Sequence, residues 1–366
     1  IGYNTFARGD KLFVLDYDNS FTGLIENIDG QYLNLDPSVR AISFNPFSGI
    51  KTKLELTDEL PYLSSFIYLL GSSKSISRAQ EDEKLITNTL QQVIKDQFEI
   101  FENKLEITNI RDAIYKEYGE EDIRFSDFAR QIDIYCQGGI YEEWFSGECE
   151  FSMEKDAMAV EFKGVENHPE LRDPLVMLLL YHIGKVMYST DTNKPKIQII
   201  FDEAHRFLGK NPRMDDFIEQ AYRRARKFDG SIILATQGFS DIYDSEGGLS
   251  RAGKTIIDNS AWKFFMNQQE TSTNLLLSSG IFSFDDIDKK IIRKIRTQKR
   301  EYSEIFCINS SNVKMSLRLL MPTFFYYLTT TDGTDKKLIA SIMNEHNCSK
   351  MEAIKIIVRE KEKASA

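Results

Sequence analysis

The sequence predicts an open α/β fold with a mostly parallel central sheet, and two observations support this. Short, β-branched apolar runs recur along the chain and end in polar or acidic residues, which is typical of strands buried on both faces. Apolar residues at helical spacing fill the segments between these runs. Such alternation is typical of a parallel sheet covered by helices. The predicted strands of this sheet lie at residues 11–16, 41–44, 157–162, 197–201 and 231–235.

The helical segments divide the chain into regions. No glycine lies between Ser72 and Tyr118, and apolar residues there recur at helical spacing, so an all-helical insertion is predicted. The first residues have the pattern of a helix that Gly9 closes. We therefore expect the chain to begin inside an element, with an important segment upstream of Ile1. The predicted regions are the first part of the core (1–56), the helical insertion (57–135), the second part of the core (136–330) and a helical C-terminal tail (331–366).

Shorter patterns complete the element prediction. A nearly all-apolar helix at 171–188 is expected to pack on the sheet. Ser349 and Glu352 have the spacing of a capping box that opens the last helix. Residues 136–147 hold aromatic side chains between glycines, and these either fill a core or stack on a base. Further strands are predicted at 261–266, 301–308 and 313–320, the last two as a hairpin.

Bulk properties exclude several classes of protein. The net charge is −10, so the chain lacks the overall basic field of most nucleic-acid binders, although a local basic surface stays open. The four cysteines have no paired spacing and the histidines do not cluster with them. Neither a disulfide framework nor a zinc site is predicted, and a reducing compartment fits best. The longest apolar stretch, 175–188, is shorter than the roughly 20 residues of a spanning helix and contains His182 and Lys185.

Two adjacent carboxylates follow the strand predicted at 197–201. In a parallel sheet, ligands bind at the carboxyl ends of the strands, where Asp202 and Glu203 emerge. A pair of this kind suits a magnesium nucleotide, with Asp202 holding the water shell of the metal and Glu203 orienting an attacking water. The alternative is that the two residues form an acidic cap between strand and helix.

Polar and basic residues follow along the chain. The strand at 231–235 ends in Thr236 and Gln237, which would lie beside the carboxylate pair if the two strands are neighbours. Before that strand, an amphipathic helix predicted at 212–228 carries a basic C-terminal end. Its cations either act at a site or only complement the helix dipole. They are Arg223, Arg224, Arg226 and Lys227.

The sequence G-L-S-R-A-G-K-T at 248–255 matches the phosphate-loop pattern. A working loop follows a strand directly and leads into a helix of several turns, whose N-terminus helps to bind phosphate. Here a polar segment precedes the pattern, and barely one turn separates Thr255 from the strand predicted at 261–266. We therefore expect this segment not to be a phosphate loop.

Three segments together resemble a known class of motor. The sequences I-I-F-D-E-A-H at 199–205, R-R-A-R-K-F-D-G at 223–230 and S-I-I-L-A-T-Q at 231–237 are similar to those of RecA-like ATPases of the FtsK and HerA class. Within this class, the I-Y-E-E-W-F-S-G segment, the helical insertion and the tail resemble the TraC-type assembly ATPases of conjugative type IV secretion systems. The resemblance covers nearly the whole chain and implies a RecA-like P-loop NTPase fold that uses ATP and Mg²⁺.

The resemblance also implies roles for individual residues. Asp202 is expected to be the magnesium-side Walker B carboxylate and Glu203 the catalytic glutamate. Gln237 is expected to sense the γ-phosphate, with Thr236 beside it at the nucleotide. Arg226 matches an arginine that such motors place at a subunit boundary, with Arg223 and Arg251 as fallbacks. The phosphate loop of the family is expected upstream of residue 1.

The implied protein is a hexameric motor at the cytoplasmic face of the inner membrane. Its expected partners are further copies of itself, other inner-membrane and cytoplasmic components of the secretion system, and a transient DNA or protein substrate. A DNA-translocating coupling protein or helicase of the same class is an alternative. A non-catalytic scaffold that keeps only the nucleotide fold is another. The D-E-A-H tetrapeptide also occurs in superfamily-two helicases, but Ala-Thr-Gln stands here where they have Ser-Ala-Thr.

Overall fold

The computed structural model describes residues 2–72, 80–151, 153–188, 195–208, 212–243 and 248–365. Two compact units divide the chain. The sheet unit comprises Ile1–Leu33, Asp156–Glu161 and Asp191–Ala366, and the helical unit comprises Asn34–Lys155 and Phe162–Thr190. The helical unit is therefore larger than the insertion predicted at 57–135.

The sheet unit is built on a five-stranded sheet. Its three inner strands are almost completely buried, as their continuous apolar sequences require. β1 pairs in parallel with β3 and β4, and β4 pairs in parallel with β5, so the predicted mostly parallel sheet is confirmed. The order is β2-β3-β1-β4-β5. The strands are β1 (Lys11–Asp16), β2 (Gln31–Asn34), β3 (Ala157–Glu161), β4 (Ile197–Phe201) and β5 (Ser231–Leu234).

Helices make up most of the described chain. Their order is α1 (Gly2–Ala7), α2 (Thr22–Asn27), α3 (Lys53–Leu70), α4 (Gln80–Phe101), α5 (Ile107–Tyr118), α6 (Ile123–Ile132), α7 (Glu142–Phe145), α8 (Pro169–Tyr188), α9 (Pro212–Ala225), α10 (Arg251–Asn259), α11 (Glu270–Ser278), α12 (Asp286–Lys294), α13 (Thr323–Thr329), α14 (Gly333–His346) and α15 (Lys350–Ser365). None of the helices in the described ranges is long and apolar enough to cross a membrane. Gly9, with φ of 79°, ends the first helical segment as predicted.

The helical unit contains α3 to α8. Its core takes up the aromatic residues of the loop at 136–147: Tyr141, Trp144 and Phe145 are all buried. They fill a core, so the packing interpretation of that loop is confirmed. Tyr62 of α3 stacks on Tyr181 of α8 with ring centroids 3.5 Å apart.

A second, antiparallel sheet lies in the sheet unit. It consists of β6 (Trp262–Phe265), β7 (Thr297–Gln298), β8 (Tyr302–Asn309) and β9 (Lys314–Leu319), and β8 and β9 form the predicted hairpin. In the helical tail, buried apolar residues of α13, α14 and α15 pack together in one cluster. Ser349 and Glu352 form the predicted capping box, since the backbone N–H of each residue donates to the side chain of the other.

One predicted strand is absent. Residues 41–44 form no strand, although Ser43 and Phe44 are buried, because their backbone makes isolated bonds, such as Phe44 N–H to the Trp144 carbonyl, and not a continuous ladder. Two short elements after β1, α2 and β2, were not predicted. The four cysteines are free thiols, in agreement with the prediction.

Candidate functional site

Three carboxylates lie at the carboxyl ends of adjacent strands. Asp16 ends β1 and is the direct partner of Glu161, which ends β3. Asp202 follows β4, and its backbone N–H donates to the carbonyl of Leu15 at 2.9 Å. Asp16 and Glu161 are 0% and 1% exposed. The parallel register therefore gathers acidic side chains at the edge where this fold class binds its ligands.

A tyrosine hydroxyl joins two of these carboxylates. The Tyr32 hydroxyl of β2 lies 3.1 Å from Asp16 Oδ2 and 3.0 Å from Glu161 Oε2. It has one proton, so it can donate to only one of them at a time. Backbone N–H groups also donate to these carboxylates, from Phe21 to Asp16 at 3.0 Å and from Asn19 to Glu161 at 2.6 Å. The loop between β1 and α2 is thereby fixed to the strand ends.

The electrostatics of this edge favour a bound cation. Burial raises the pKa of Asp16 to about 6, and the charges of Glu161 and Asp202 act in the same direction. Burial, followed by the charge of Glu203, raises the pKa of Asp202 to about 6 as well. Desolvated carboxylates of this kind are hard oxygen ligands of the type that Mg²⁺ prefers. The residues present therefore fit a hydrated magnesium ion.

Glu203 is held in an uncommon backbone conformation. Its φ of 51° and ψ of 45° are left-handed, a region that costs a residue with a side chain of order 1–3 kcal/mol. The neighbouring strand supports the turn, because Ala204 N–H donates to the Ala235 carbonyl at 2.8 Å. Gln237 Nε2 donates to Glu203 Oε2 at 2.9 Å. The expectation that Gln237 would lie beside the carboxylate pair, if β4 and β5 were neighbours, is confirmed.

The turn after β5 is closed by its own polar groups. Thr236 Oγ1 donates to the Gly238 carbonyl at 3.2 Å, so this hydroxyl serves the turn. Asp241 Oδ2 accepts the backbone N–H groups of Gln237 and Gly238, both at 3.0 Å. The backbone of Gln237 is thus fixed at the carboxyl edge.

Two of the three predicted arginines converge on a buried glutamate. Arg223 Nη2 lies 2.5 Å from Glu219 Oε1, and Arg251 Nε lies 2.9 Å from Glu219 Oε2. Arg251 also pairs with Asp216 at 2.5 Å. These contacts occupy both guanidinium groups within the chain. The backbone of Arg226 begins a 3₁₀ turn after α9, and its side chain lies outside the described residues.

The phosphate-loop pattern at 248–255 has the wrong surroundings for a phosphate loop. Its residues Gly253, Lys254 and Thr255 lie inside α10 and not before it. The residue before the helix, Ser250, caps it by accepting the Gly253 N–H at 2.9 Å. In the described part of the segment directly before the helix, the β-structure is a single isolated bridge between Tyr243 and Leu249. The cap and the helix therefore use the N–H groups that would hold a phosphate.

Several residues of this site were missed by sequence reasoning. Asp16 was seen to end a strand, but its partner Glu161 was not connected with it. The signal was available, because both end buried runs that a parallel sheet brings to the same edge. Tyr32 was missed together with β2. Asp241 and His205 stand in short 3₁₀ turns, which carry no periodic pattern.

Comparisons with known proteins agree with this geometry. The family described as TraG P-loop domain matches residues 2–361. Protein TraC of Escherichia coli (strain K12) is 25% identical over 346 residues, which are 90% of this chain and 37% of that protein. The chain therefore spans about a third of the length of this curated relative.

Solved structures show the same fold. VirB4 of Thermoanaerobacter pseudethanolicus matches with a TM-score of 0.67 and 12% identity, over 92% of this chain and 85% of that one. The plasmid coupling protein TrwB in complex with ADP and Mg²⁺ matches with a TM-score of 0.52 and 12% identity, over 87% and 72%. These likenesses confirm the predicted P-loop NTPase fold class. Because the family match covers almost the entire sequence, the chain belongs to the TraG P-loop domain family.

Proposed function

We propose that this chain carries the catalytic half-site of an ATP-hydrolysing motor in a conjugative type IV secretion system. One observation carries the proposal. Asp202 and Glu203 follow a buried parallel strand, and Gln237 of the neighbouring strand bonds directly to Glu203 in a chain of the TraG P-loop domain family. A carboxylate pair with a polar sensor at this edge is the arrangement that phosphoryl transfer to water requires.

The side chains would divide the work. Bound Mg²⁺ neutralises negative charge on the phosphates, and Asp202 would hold it through a water ligand. With its pKa raised to about 6, Asp202 is ionised above neutral pH and can serve in this way. Glu203 would accept a hydrogen bond from the attacking water and orient it. Gln237 Nε2 would donate to a phosphate oxygen, with Thr236 keeping the turn closed.

The relatives support a cellular role for the proposed motor. TraC and VirB4 belong to conjugation and secretion machinery, so we place this protein at the cytoplasmic face of the inner membrane as a homo-oligomer, a hexamer in the family pattern. Its other partners would be inner-membrane and cytoplasmic components of the secretion system. The motor would energise assembly of the pilus or channel and transfer of the substrate.

The test is Glu203→Gln in the full-length protein. We expect the kcat for ATP hydrolysis to fall by roughly a hundredfold or more, because the neutral amide is a weaker acceptor for the attacking water than a carboxylate and cannot act as a base. Binding of a fluorescent ATP analogue should persist, since Glu203 does not hold the nucleotide. The matched control is Glu345→Gln on the exposed side of α14. Wild-type hydrolysis by Glu203→Gln would refute the catalytic assignment of Glu203, whereas a lack of hydrolysis in the unsubstituted protein would favour the scaffold alternative.

A specific observation favours the DNA-translocating alternative as a second candidate. Residues 289–300, from α12 to the turn before β8, contain no acidic residue in a chain of net charge −10. The exposed cations Lys290, Arg293 and Lys294 share one face of α12, where such a surface would contact phosphates. Tight DNA binding that weakens steeply with salt, and weakens further in the triple alanine variant of these cations, would support the alternative. If the protein binds no DNA even at low salt, the assembly motor is the function that the results support.

A further inference from the structure

His205 lies between two carboxylates at the carboxyl edge of the sheet. Its Nδ1 is 3.2 Å from Glu203 Oε2 and 3.8 Å from Asp241 Oδ2. Glu203 accepts a hydrogen bond from the side-chain amide of Gln237, and Asp241 accepts one from the backbone N–H of the same residue. The imidazole therefore stands at the junction between the β4 turn and the β5 turn.

The surroundings determine where the imidazole carries its proton. Both facing groups are carboxylate oxygens, which accept hydrogen bonds when ionised. An attractive contact requires a proton on Nδ1, so a neutral His205 must be the Nδ1–H tautomer. Nδ1 is buried and makes no hydrogen bond with the residues that the structure describes, because the angle of its contact with Glu203 Oε2 is unfavourable. Contacts of catalytic groups often tighten only when substrate is bound, and 3.2 Å is within reach of a small ring rotation.

Glu203 needs such a support because its backbone is strained. The left-handed conformation persists only where neighbouring groups determine it. The Ala204 N–H bond to β5 fixes the main chain, and Gln237 and His205 approach the same carboxylate oxygen, Oε2. Asp241 also contributes, since it accepts the backbone N–H groups of Gln237 and Gly238 and so closes the turn that carries Gln237.

We propose that His205 is a positioning residue that joins Glu203 to the Asp241-capped turn, so that the water-orienting carboxylate and the Gln237 amide are held as one unit. The inference rests on the proposed function, because it assigns His205 a role through Glu203. It adds a link that neither the Walker B pair nor the sensor supplies. When nucleotide binds, the Nδ1–H would donate to Glu203 Oε2, and Asp241 Oδ2 faces the same nitrogen at 3.8 Å.

Three variants of the full-length protein test this role in ATP hydrolysis. His205→Ala removes the donor, and we expect kcat to fall by roughly ten- to a hundredfold with KM nearly unchanged, because the carboxylate is misplaced while nucleotide contacts remain. His205→Asn keeps an N–H near the position of Nδ1 and should recover most of kcat. His346→Ala, at the exposed end of α14, is the matched control and should keep wild-type values. Equal loss in His205→Ala and His205→Asn, or a loss confined to KM, would overturn the inference.

A measurement on the unsubstituted protein does not depend on the folding of variants. Nitrogen chemical shifts of the four histidine imidazoles distinguish Nδ1–H from Nε2–H tautomers. We expect the neutral Nδ1–H form at His205, and the Nε2–H form would contradict the proposal. Failure of the proposed function is seen separately. If Glu203→Gln hydrolyses ATP normally, the catalytic assignment falls; if it is inactive while His205→Ala is fully active, only the role of His205 falls.

Discussion

The ionisable side chain of Asp16 is completely buried. Three donors bond to its carboxylate, from Ser20, Phe21 and Tyr32, yet burial outweighs them and the pKa rises from 3.8 to about 6. The folded protein therefore retains a proton over a pH range in which the unfolded chain has lost it. By linkage, the free energy of unfolding falls as pH rises through this range and stays lower above it.

We expect this fall to be measurable by urea unfolding at pH 4.5 and pH 7.5. A rise in pKa from 3.8 to about 6 corresponds to roughly 3 kcal/mol for Asp16, of which about 2 kcal/mol falls between these two pH values because the unfolded chain is already mostly ionised at pH 4.5. Asp16→Asn removes the charge, so the loss of stability between the two pH values should be smaller in this variant. Asp258→Asn, an exposed carboxylate on α10, should keep the wild-type difference. An unchanged difference in Asp16→Asn would show that Asp16 is ionised normally in the folded protein.

The sequence reveals the centre of the site better than its surroundings. Asp202, Glu203 and Gln237 follow buried runs, and the parallel register brings the ends of such runs together. The contacts of Arg223 and Arg251 with Glu219 depend on how α9 meets α10, which no local pattern encodes. Asp241 bonds locally to the Gln237 and Gly238 N–H groups, but its single 3₁₀ turn is too short to carry a periodic pattern.

Among the elements, α9 and α10 are joined at one buried glutamate. Glu219 is 7% exposed on its side chain and has an arginine from its own helix on one oxygen and an arginine from α10 on the other. A buried charge that loses its partners costs far more than an exposed pair contributes. The basic end of α9 is thus a structural joint as well as a candidate for contact with another subunit.

A double-mutant cycle tests this joint. Arg223→Ala and Arg251→Ala should each destabilise the fold by about 1 kcal/mol, because one arginine still compensates Glu219. The double variant should lose roughly 3–5 kcal/mol, more than the sum, since the glutamate is then buried and unpaired. Lys254→Ala, exposed on α10, should have little effect. Simple additivity in chemical denaturation would mean that Glu219 is compensated elsewhere.

Apolar patterns predicted the elements that contain apolar runs and missed β2, which has none. β1, β4 and α8 have continuous apolar runs, so their sequence alone identifies them. β2 has four residues, Q-Y-L-N, with three half-buried and one exposed, and this is too weak a pattern to detect. Residues 41–44 are mostly apolar and half-buried or buried, and such a pattern does not distinguish a strand from an irregular segment.

At the scale of the whole molecule, the proposed motor needs contacts between copies of the chain. In a ring, one subunit would present Glu203 and its neighbour would present an arginine to the same nucleotide. The internal pairing of Arg223 and Arg251 favours Arg226 for this role, in line with the resemblance to other motors. Oligomerisation and hydrolysis would then be inseparable.

Mixing two inactive full-length proteins tests the shared site. Arg226→Ala retains Glu203, and Glu203→Gln retains Arg226, so roughly a quarter of the interfaces in an equal mixture would hold both groups. We expect ATP hydrolysis in the mixture to exceed that of either protein alone. Arg224→Ala, two residues away at the same helix end, should be active by itself. A mixture no more active than its components would remove the support for Arg226 at a subunit boundary.

The outermost position of β5 has a practical consequence for anyone who purifies this polypeptide. Among the described strands it has a neighbour on one side only, and Ile232, Ile233 and Leu234 are each half-buried. An open strand edge with apolar side chains is a template for unwanted pairing with other chains. When residues 1–366 are produced by themselves, soluble yield should therefore fall at high protein concentration, and a lysine in place of Ile232 is the remedy we would try first.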